Sequence, residues 1–481
     1  MSAEAAADDR LLRDTVTRAA TVVSYAGLAI ALVASRTVGL DQSLWTDEIV
    51  ALESFIREGP REILAGPDLS HELFGLLAWA SIELVGESEV VLRVWSVVPF
   101  LAGVALVTTW LHRTAGALAG VLFLFLATVS PLLLDVTRQA RGYGLAFLAM
   151  GLVVVAGLEV IKNGRTAALV AFCAGGIVGT ATLPQFGIAF VAAGVVLLAV
   201  APDERRRLIV ALVASLLATA AFYAPHLAQV RDAAQIEDGV RIDTLWLVTA
   251  PVDQVLLPAL IWIDGTALVA GPLWLPAVLL AVIVMAASSL ARDRRTVLLL
   301  ASGPVVTVIA LWAAQAYVIP RYLSFLLVPV FVLLATGASD LLQRGASRGG
   351  VVTVALCAVV VVVLGARFLL LAPDVMRLPR EANADSARAV RASEPPLLPV
   401  LAYMRNPGNL EHYLGRRPAS LEAAQVAARV CGQRVSIAYV TQPFGIAPVG
   451  VPCLTRPGVQ HERFEQYARG GETNVWLVPP R

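Results

Sequence analysis

Long apolar segments recur along most of the chain, and short polar loops separate them. A helix needs about 20 predominantly apolar residues to cross the hydrocarbon core of a bilayer. Segments near that length predict an α-helical polytopic membrane protein with about eleven transmembrane helices. The predicted spans are residues 19–38, 91–111, 117–134, 143–161, 166–183, 186–201, 208–225, 272–291, 297–317, 322–342 and 350–371.

The basic residues of the short loops predict the orientation of these spans. They are concentrated in loops on one side of the predicted topology, and the positive-inside rule makes that side cytoplasmic. The N-terminal tail, residues 1–18, is then cytoplasmic, the membrane domain covers 19–372, and the chain from 373 onward lies outside. The basic loops are 112–116, 162–165, 203–207, 292–295 and 343–348.

The first outer loop, residues 39–90, is long and holds two segments with helical spacing of apolar residues, 48–58 and 71–86. Counting the second segment as a span would place the later basic loops outside, against the positive-inside rule. We therefore expect both segments to be helices at the outer membrane surface. Residues 226–271 form a second long outer stretch, with a further surface helix expected near 254–264.

The tail, residues 373–481, is more polar and predicts a small extracytoplasmic α/β domain. Three of its segments have strand-like composition, and a helix-forming segment lies between two of them. Cys431 and Cys453 could form a disulfide if this domain faces an oxidising compartment. The strand segments are "LLPVLAYM", "RVSIAYV" and "NVWLVP", and the helical segment is "SLEAAQVAARV".

Composition excludes a soluble globule. The chain is 58% hydrophobic and 15% charged, whereas an ordinary soluble domain is about 45–50% apolar and about 25% charged. Its mean hydropathy of +0.74 requires much of the apolar surface to lie in lipid. A net charge of +1 gives no indication of nucleic-acid binding.

Several arginines stand where the orientation rule does not expect them: Arg36, Arg57, Arg61 and Arg93 around the first outer loop, and three more near tyrosines. Arg138, Arg141 and Arg321 lie in short outer loops or at outer helix ends, and tyrosines accompany them in "RQARGY" and "PRYL". A guanidinium offers several donors in a planar fork that suits phosphate oxygens. Interfacial snorkelling with tyrosine anchors is the alternative. We favour a phosphate site for the group because it faces an acidic loop.

Two adjacent carboxylates, Asp47 and Glu48, occur in that loop within "SLWTDEIVALES". One of them could act as a general base toward a hydroxyl. Adjacent helical residues point about 100° apart, so the other would serve as support or metal ligand. Capping of the helix that follows is the structural alternative for one acid. His71 begins the second surface helix, while Asp135 and Gln139 share the loop of Arg138 and Arg141.

Together these motifs resemble the GT-C membrane glycosyltransferases, in the bacterial branch similar to protein O-mannosyltransferases and lipid A aminoarabinose transferases. The resemblance covers residues 39–161 well and 317–340 moderately. The motifs are W-x-D-E at residues 45–48, a His-led surface helix from 71, "SEVVLRVWSVVPFLAGVALVTTWLHR" from 88, "SPLLLDVTRQARGYGL" from 130 and "PRYLSFLLVP" from 320.

The resemblance implies a GT-C fold and an inverting transfer of a sugar from a polyprenyl-phosphate donor to a hydroxyl of an extracytoplasmic glycan, glycolipid or protein. It implies location in the bacterial inner membrane, with the active site and the tail domain on the outer face. Asp47 matches the base and Glu48 its companion acid. Arg141, Tyr143, Arg321 and Tyr322 match positions expected near the donor phosphate, and the pattern of arginines adds Arg138 to them. Those expected at the acceptor or as support are Trp45, His71, Asp135 and Gln139.

The sequence departs from the family pattern at two places. Glu72 and Leu73 stand where the family has two prolines, and Gln139 stands where the family often has glutamate. The missing carboxylate at Gln139 leaves a divalent cation only a possible cofactor. A flippase or transporter for lipid-linked sugars would use the same arginines to bind a headgroup without making a bond. A sugar-binding membrane scaffold is a third hypothesis.

Overall fold

The structure is a computed structural model. It describes residues 3–65, 71–224, 293–314, 320–344, 348–379, 382–392, 399–404, 408–416, 418–433, 437–441, 451–465 and 472–479. The predicted span 272–291 and the outer stretch 226–271 lie outside the described residues.

The membrane domain is helical at the ten other predicted spans. Within the described ranges, seven helical segments are long and apolar enough to cross a membrane, and three apolar helices are shorter. The chain is thus an α-helical multi-pass membrane protein. Its helices up to the tail are α1 (Ala3–Thr37), α2 (Thr46–Ala51), α3 (Pro60–Ala65), α4 (Glu72–Val85), α5 (Glu89–Ala115), α6 (Ala117–Val129), α7 (Pro131–Val136), α8 (Tyr143–Asn163), α9 (Thr166–Thr182), α10 (Phe186–Val200), α11 (Arg205–Tyr223), α12 (Arg294–Ala313), α13 (Leu327–Arg344) and α14 (Arg348–Arg377).

The span predicted over residues 117–134 is not one continuous helix. The chain turns at Ser130, so that α6 ends at Val129 and the short α7 begins at Pro131. Proline suits the first turn of a helix, and the Ser130 hydroxyl accepts the Leu133 N–H at 3.4 Å. With 13 residues, α6 is about 20 Å long at 1.5 Å per residue. It is therefore shorter than the hydrocarbon core of a typical bilayer.

α8 lies inside the bundle and packs between α5 and α9. Gly144, in the first turn of α8, lies against the backbone of Ser96 in α5. A Cβ atom on Gly144 would stand 1.7 Å from the Ser96 carbonyl oxygen, so this approach requires glycine. The contact holds the beginning of α8, with Tyr143, against α5.

The first outer loop is built from short helices. α2 continues into a π-helical turn at Leu52–Ile56, followed by α3 and the 14-residue α4. Their apolar side chains share one cluster that includes Leu44, Ile49 and Phe74. The two helices predicted in this loop, 48–58 and 71–86, are therefore present as α2 with its π turn and as α4.

The tail forms a five-stranded sheet in the order β2-β1-β3-β5-β4. β1 pairs in parallel with β2 and β3, whereas β5 is antiparallel to β3 and β4. Apolar clusters cover both faces of the sheet. The elements are α15 (Asn383–Ala392), β1 (Val400–Tyr403), α16 (Gly408–Leu414), β2 (Ala419–Ser420), α17 (Ala423–Cys431), β3 (Ile437–Thr441), β4 (Gln460–Glu465) and β5 (Glu472–Val478).

This sheet agrees with the predicted α/β tail domain. The three predicted strand segments form β1, β3 and β5, and the predicted helix is α17. The four other elements, α15, α16, β2 and β4, were not predicted. A disulfide joins Cys431 at the end of α17 to Cys453, with 5.5 Å between their Cα atoms.

Candidate functional site

Asp47 and Arg321 form an ion pair at one end of the helix bundle. The Asp47 Oδ2 atom lies 2.5 Å from Arg321 Nη2, and the two side chains are 26% and 19% exposed. Asp47 is in the first turn of α2, and Arg321 lies in the 3₁₀ segment Pro320–Leu326 before α13. The pair therefore joins the acidic loop to one of the predicted phosphate-binding motifs while staying accessible to a ligand.

Aromatic and basic side chains surround this ion pair. The Arg321 guanidinium carbon lies 4.9 Å from the Trp45 ring centroid and 5.6 Å from that of Tyr322. Arg141 donates to the Asp47 backbone carbonyl at 3.3 Å. Tyr143 and Tyr322 have ring centroids 6.3 Å apart. The structure thus brings together six of the residues predicted from sequence: Trp45, Asp47, Arg141, Tyr143, Arg321 and Tyr322.

His71 lies next to the two tyrosines and is held in an unusual backbone conformation. Its ring centroid is 4.7 Å from that of Tyr143 and 6.4 Å from that of Tyr322. Among the described residues it is the one non-glycine with positive φ, at 80°. Such strain collects at functional sites. A Cβ on Gly142 would stand 2.8 Å from the His71 ring, so glycine there makes room for the imidazole.

The His71 imidazole is neutral. It is 2% exposed, and neither ring nitrogen has a hydrogen-bond partner. Burial lowers the pKa of His71 well below its usual value, and the positive charges of Arg141 and Arg321 lower it further. A neutral imidazole with two unused nitrogens can either donate to or accept from a bound ligand.

Glu48 points away from Asp47 and is fully buried in a salt bridge with Arg93. Arg93 Nε and Nη2 donate to its two carboxylate oxygens at 3.0 and 2.8 Å. The same oxygens accept the backbone N–H groups of Trp45 at 3.0 Å and Ala140 at 2.5 Å. Glu48 therefore links α2, α5 and the α7–α8 loop, and it also caps α2 through Trp45. The sequence left three roles open for the acid beside the base, namely support, metal ligand and helix cap. The geometry of Glu48 favours support and capping.

Arg93 is a residue that sequence reasoning did not place in the site. Besides Glu48, its guanidinium donates to the carbonyls of Leu40, Gln42 and Ser43 at 2.8, 2.7 and 3.2 Å. Its position near the beginning of α5, at one end of a predicted span, was the available signal. One side chain thus fixes the whole segment that leads into α2.

Arg138 is turned away from the Asp47–Arg321 pair. It donates to the carbonyls of Ser35, Val38 and Gly39 at 2.8, 2.7 and 3.2 Å. These bonds satisfy backbone carbonyl groups at the C-terminal end of α1. Arg36 does the same for α6 by donating to Ala127 and Thr128 at 3.1 and 3.2 Å. The hydrogen bonds that Arg36 and Arg138 donate to helix ends account for both arginines, and neither needs a bound ligand to explain its position.

Gln139 and Asp135 are both buried, and Gln139 lines a cavity together with Glu48. Neither polar atom of the Gln139 amide has a hydrogen-bond partner. The amide borders this small cavity, which Gln42, Trp45, Glu48 and Arg93 also line. This cavity lies behind the acidic loop.

The donor atoms of this region do not fit a divalent cation. Among the described residues, no three His, Cys, Asp or Glu side chains are grouped to hold a metal ion. The oxygens of Glu48 are taken by Arg93 and two backbone N–H groups, and Gln139 supplies a neutral amide. No step of the chemistry below is therefore assigned to a metal.

Glu72, directly after His71, is buried against α11. It is hydrogen-bonded to Tyr223, whose hydroxyl lies 2.6 Å from the Thr180 carbonyl oxygen. Burial raises the pKa of Glu72 to about 7, whereas the hydrogen bond with Tyr223 acts in the opposite direction and lowers it.

The tail domain contacts the acidic loop directly. The backbone N–H of Leu44 donates to the Tyr413 hydroxyl at 2.6 Å, and Asn383 Nδ2 donates to the Leu44 carbonyl at 3.3 Å. His412, next to Tyr413, contacts Glu53. Sequence reasoning missed these residues because nothing in the local pattern of the tail pairs them with a loop more than 300 residues earlier.

Comparison with known proteins gives a match at the level of structure. No family model and no curated protein sequence matches the chain. ArnT from Cupriavidus metallidurans in the apo state matches with a TM-score of 0.54 and 15% identity, covering 96% of this chain and 98% of ArnT. The same protein bound to undecaprenyl phosphate matches with a TM-score of 0.50 and 16% identity, covering 95% and 97%. The chain therefore has the GT-C fold of ArnT, as the sequence motifs predicted.

Proposed function

We propose that this protein is an inverting glycosyltransferase that moves a sugar from a polyprenyl-phosphate donor to an acceptor hydroxyl. The observation that carries the proposal is the Asp47–Arg321 pair. It places a partly exposed carboxylate beside two arginines, two tyrosines and a neutral histidine at one end of a membrane helix bundle. A fold shared with a protein that has been crystallised with undecaprenyl phosphate supports the choice of donor.

Asp47 is the proposed general base. One oxygen of its carboxylate takes the proton of the acceptor hydroxyl, while the hydroxyl oxygen bonds to the anomeric carbon. The bond from that carbon to the phosphate oxygen breaks on the opposite face, and the electron pair leaves with the polyprenyl phosphate. This single displacement, with one carboxylate on the acceptor side, inverts the anomeric configuration. Retaining hydrolases instead use a pair of carboxylates, one of them as nucleophile.

Arg321 and Arg141 are the proposed phosphate ligands. The leaving phosphate gains negative charge as the glycosidic bond breaks, and preorganised guanidiniums stabilise that charge. In the ligand-free state Arg321 is held by Asp47. On donor binding the guanidinium turns to the phosphate, and the Asp47 carboxylate becomes available to the acceptor. His71, Tyr143 and Tyr322 supply hydrogen-bonding atoms around the sugar and phosphate.

The proposed location of the site is the outer face of a bacterial inner membrane. The basic loops support this orientation through the positive-inside rule. The Cys431–Cys453 disulfide supports it independently, because structural disulfides persist in oxidising compartments. The proposed acceptor is accordingly an extracytoplasmic glycan, glycolipid or protein.

The test is a transfer assay on the full chain in lipid nanodiscs. Purified protein is incubated with a panel of polyprenyl-phosphate sugars and with envelope glycan, glycolipid and peptide acceptors, and release of polyprenyl phosphate is followed by mass spectrometry. Stoichiometric release of the lipid phosphate with an inverted product supports the proposal. Donor binding without release across the whole panel contradicts it and favours a transporter or flippase of lipid-linked sugars.

A further inference from the structure

The segment that carries Asp47 is held at one peptide group by the tail domain. Leu44, three residues before Asp47, is 2% exposed. Its N–H donates to the Tyr413 hydroxyl of α16 at 2.6 Å, and its carbonyl accepts from Asn383 of α15 at 3.3 Å. Both polar groups of this residue are therefore satisfied by side chains from a domain that follows the last membrane helix.

The neighbouring backbone groups are held from the opposite side. The Ser43 carbonyl accepts from Arg93, and the Trp45 N–H donates to Glu48. The segment that leads into α2 is thus held by the membrane helices on one side and by the tail domain on the other, and Leu44 is bonded to the tail through both its N–H and its carbonyl. A shift at Leu44 would propagate to Trp45, whose ring lies against the Arg321 guanidinium.

Tyr413 makes both apolar and hydrogen-bonding contacts where the tail domain meets the first loop. Tyr413 packs against the apolar cluster of the first loop, which includes Ile49 and Leu52. Its hydroxyl also donates to Glu89 Oε1 at 3.5 Å, so it can accept from Leu44 at the same time. Burial raises the pKa of Tyr413 above its usual value, which keeps this hydroxyl protonated.

We propose that Asn383 and Tyr413 are positioning residues that hold Asp47 in its working orientation through Leu44, which makes the tail domain part of the catalytic unit. The inference rests on the proposed role of Asp47 as base. Small displacements of a catalytic group are costly, since about 1 Å can reduce a rate by about 100-fold. Both residues are hydrogen-bonded to Leu44, three positions before Asp47, so both act on the rate of transfer through the loop rather than through the ligand.

The test uses Tyr413→Phe, which removes the hydroxyl and keeps the ring packing, and Asn383→Asp, which replaces the donor with a carboxylate of the same shape. Each variant of the full chain is expected to lower kcat about tenfold while leaving the donor KM unchanged. Hydrogen exchange of the peptide covering residues 43–48 should become about fivefold faster, because Leu44 loses a hydrogen bond. Tyr439→Phe, at a buried tyrosine of β3, is the matched control and should change neither quantity.

The two readouts separate the ways in which the inference can fail. Exchange at 43–48 that stays unchanged in both variants would overturn the contact. Faster exchange with an unchanged kcat would overturn the positioning role. A wild-type protein that transfers no sugar would overturn the proposed function itself, and the exchange measurement, which needs no turnover, would distinguish that failure from a failure of the contact.

Discussion

The Asp47 carboxylate and the Arg321 guanidinium lie 2.5 Å apart, although 274 positions of sequence separate them. The fold therefore places a candidate base and a candidate phosphate ligand within one hydrogen bond of each other. Glu48, adjacent to Asp47, is by contrast buried and forms a salt bridge with Arg93. Two neighbouring acids thus have different environments, one exposed to a ligand and one holding the loop.

Replacing Asp47 with asparagine should abolish sugar transfer. The amide is nearly the same shape but cannot accept a proton from the acceptor hydroxyl, and general-base catalysis typically contributes about 100- to 10,000-fold. Donor-lipid affinity should stay within about threefold of wild type, since Arg141 and Arg321 are retained. Asp41→Asn, at an exposed acid of the same loop, is the matched control. Transfer by Asp47→Asn at the wild-type rate would remove Asp47 from the base role.

Arg141 and Arg138 should respond differently to substitution, although they are three residues apart. Arg141→Ala should weaken binding of a polyprenyl-phosphate donor about tenfold or more, because a charge-assisted phosphate contact is lost. Arg138→Ala should lower the thermal stability without a comparable change in donor affinity, because its guanidinium serves the end of α1. Donor titration and thermal unfolding on both variants check this. Equal loss of donor affinity in the two would contradict the assignment.

Much of the helical arrangement could be predicted because apolar length alone identifies a span. The break at Ser130 was missed because the apolar run through "ATVSPLLLD" has the length of one span, although Ser130 before Pro131 is a pattern that begins helices. β4 was missed because "QHERFE" carries one apolar residue, Phe464, and forms an edge strand. Strands of that kind have no alternating pattern for a sequence analysis to detect.

The site could be predicted in part because Asp47, Arg141 and Arg321 lie in polar positions at the ends of apolar segments. Arg138 has the same local signal, and only its bonds to the carbonyls of α1 show that it has a different use. Arg93 and Tyr413 act through contacts that are 45 and 369 positions away in sequence. No short-range pattern carries that information.

Breaking the Glu48–Arg93 pair should destabilise the protein strongly. Glu48→Gln leaves a buried guanidinium without its counter-charge, and removing one partner of a buried pair costs about 3–5 kcal/mol. We expect low yield and a Tm lowered by several degrees, measured in detergent with donor absent. Glu83→Gln, at an exposed glutamate of α4, should leave the Tm unchanged. A Glu48→Gln variant with wild-type Tm and little activity would instead indicate a direct chemical role for Glu48.

The disulfide should stabilise the tail domain. Cys431 and Cys453 are 22 positions apart, and closing a loop of that size is worth about 3 kcal/mol in the chain-entropy treatment. Non-reducing peptide mapping should recover the two cysteines in one linked species. The double variant Cys431→Ser/Cys453→Ser should lower the Tm, whereas Cys173→Ser, at a free thiol, should not. Two free thiols in protein purified from the membrane without reductant would contradict both the bond and the outer location that it supports.

Glu72 should make stability depend on pH between about 4.5 and 7. Its folded-state pKa is about 7, against 4.5 for an unperturbed glutamate. As the pH rises through this window the unfolded chain loses the proton while the folded chain keeps it, so stability falls and then levels off above pH 7. The full difference corresponds to about 3 kcal/mol. Glu72→Gln, whose amide can still form a hydrogen bond with Tyr223, should therefore raise the Tm relative to wild type at pH 8 but little at pH 4.5. Thermal unfolding across this range measures the difference, with Glu83→Gln as the control. A difference that does not change with pH would contradict the raised folded-state pKa of Glu72.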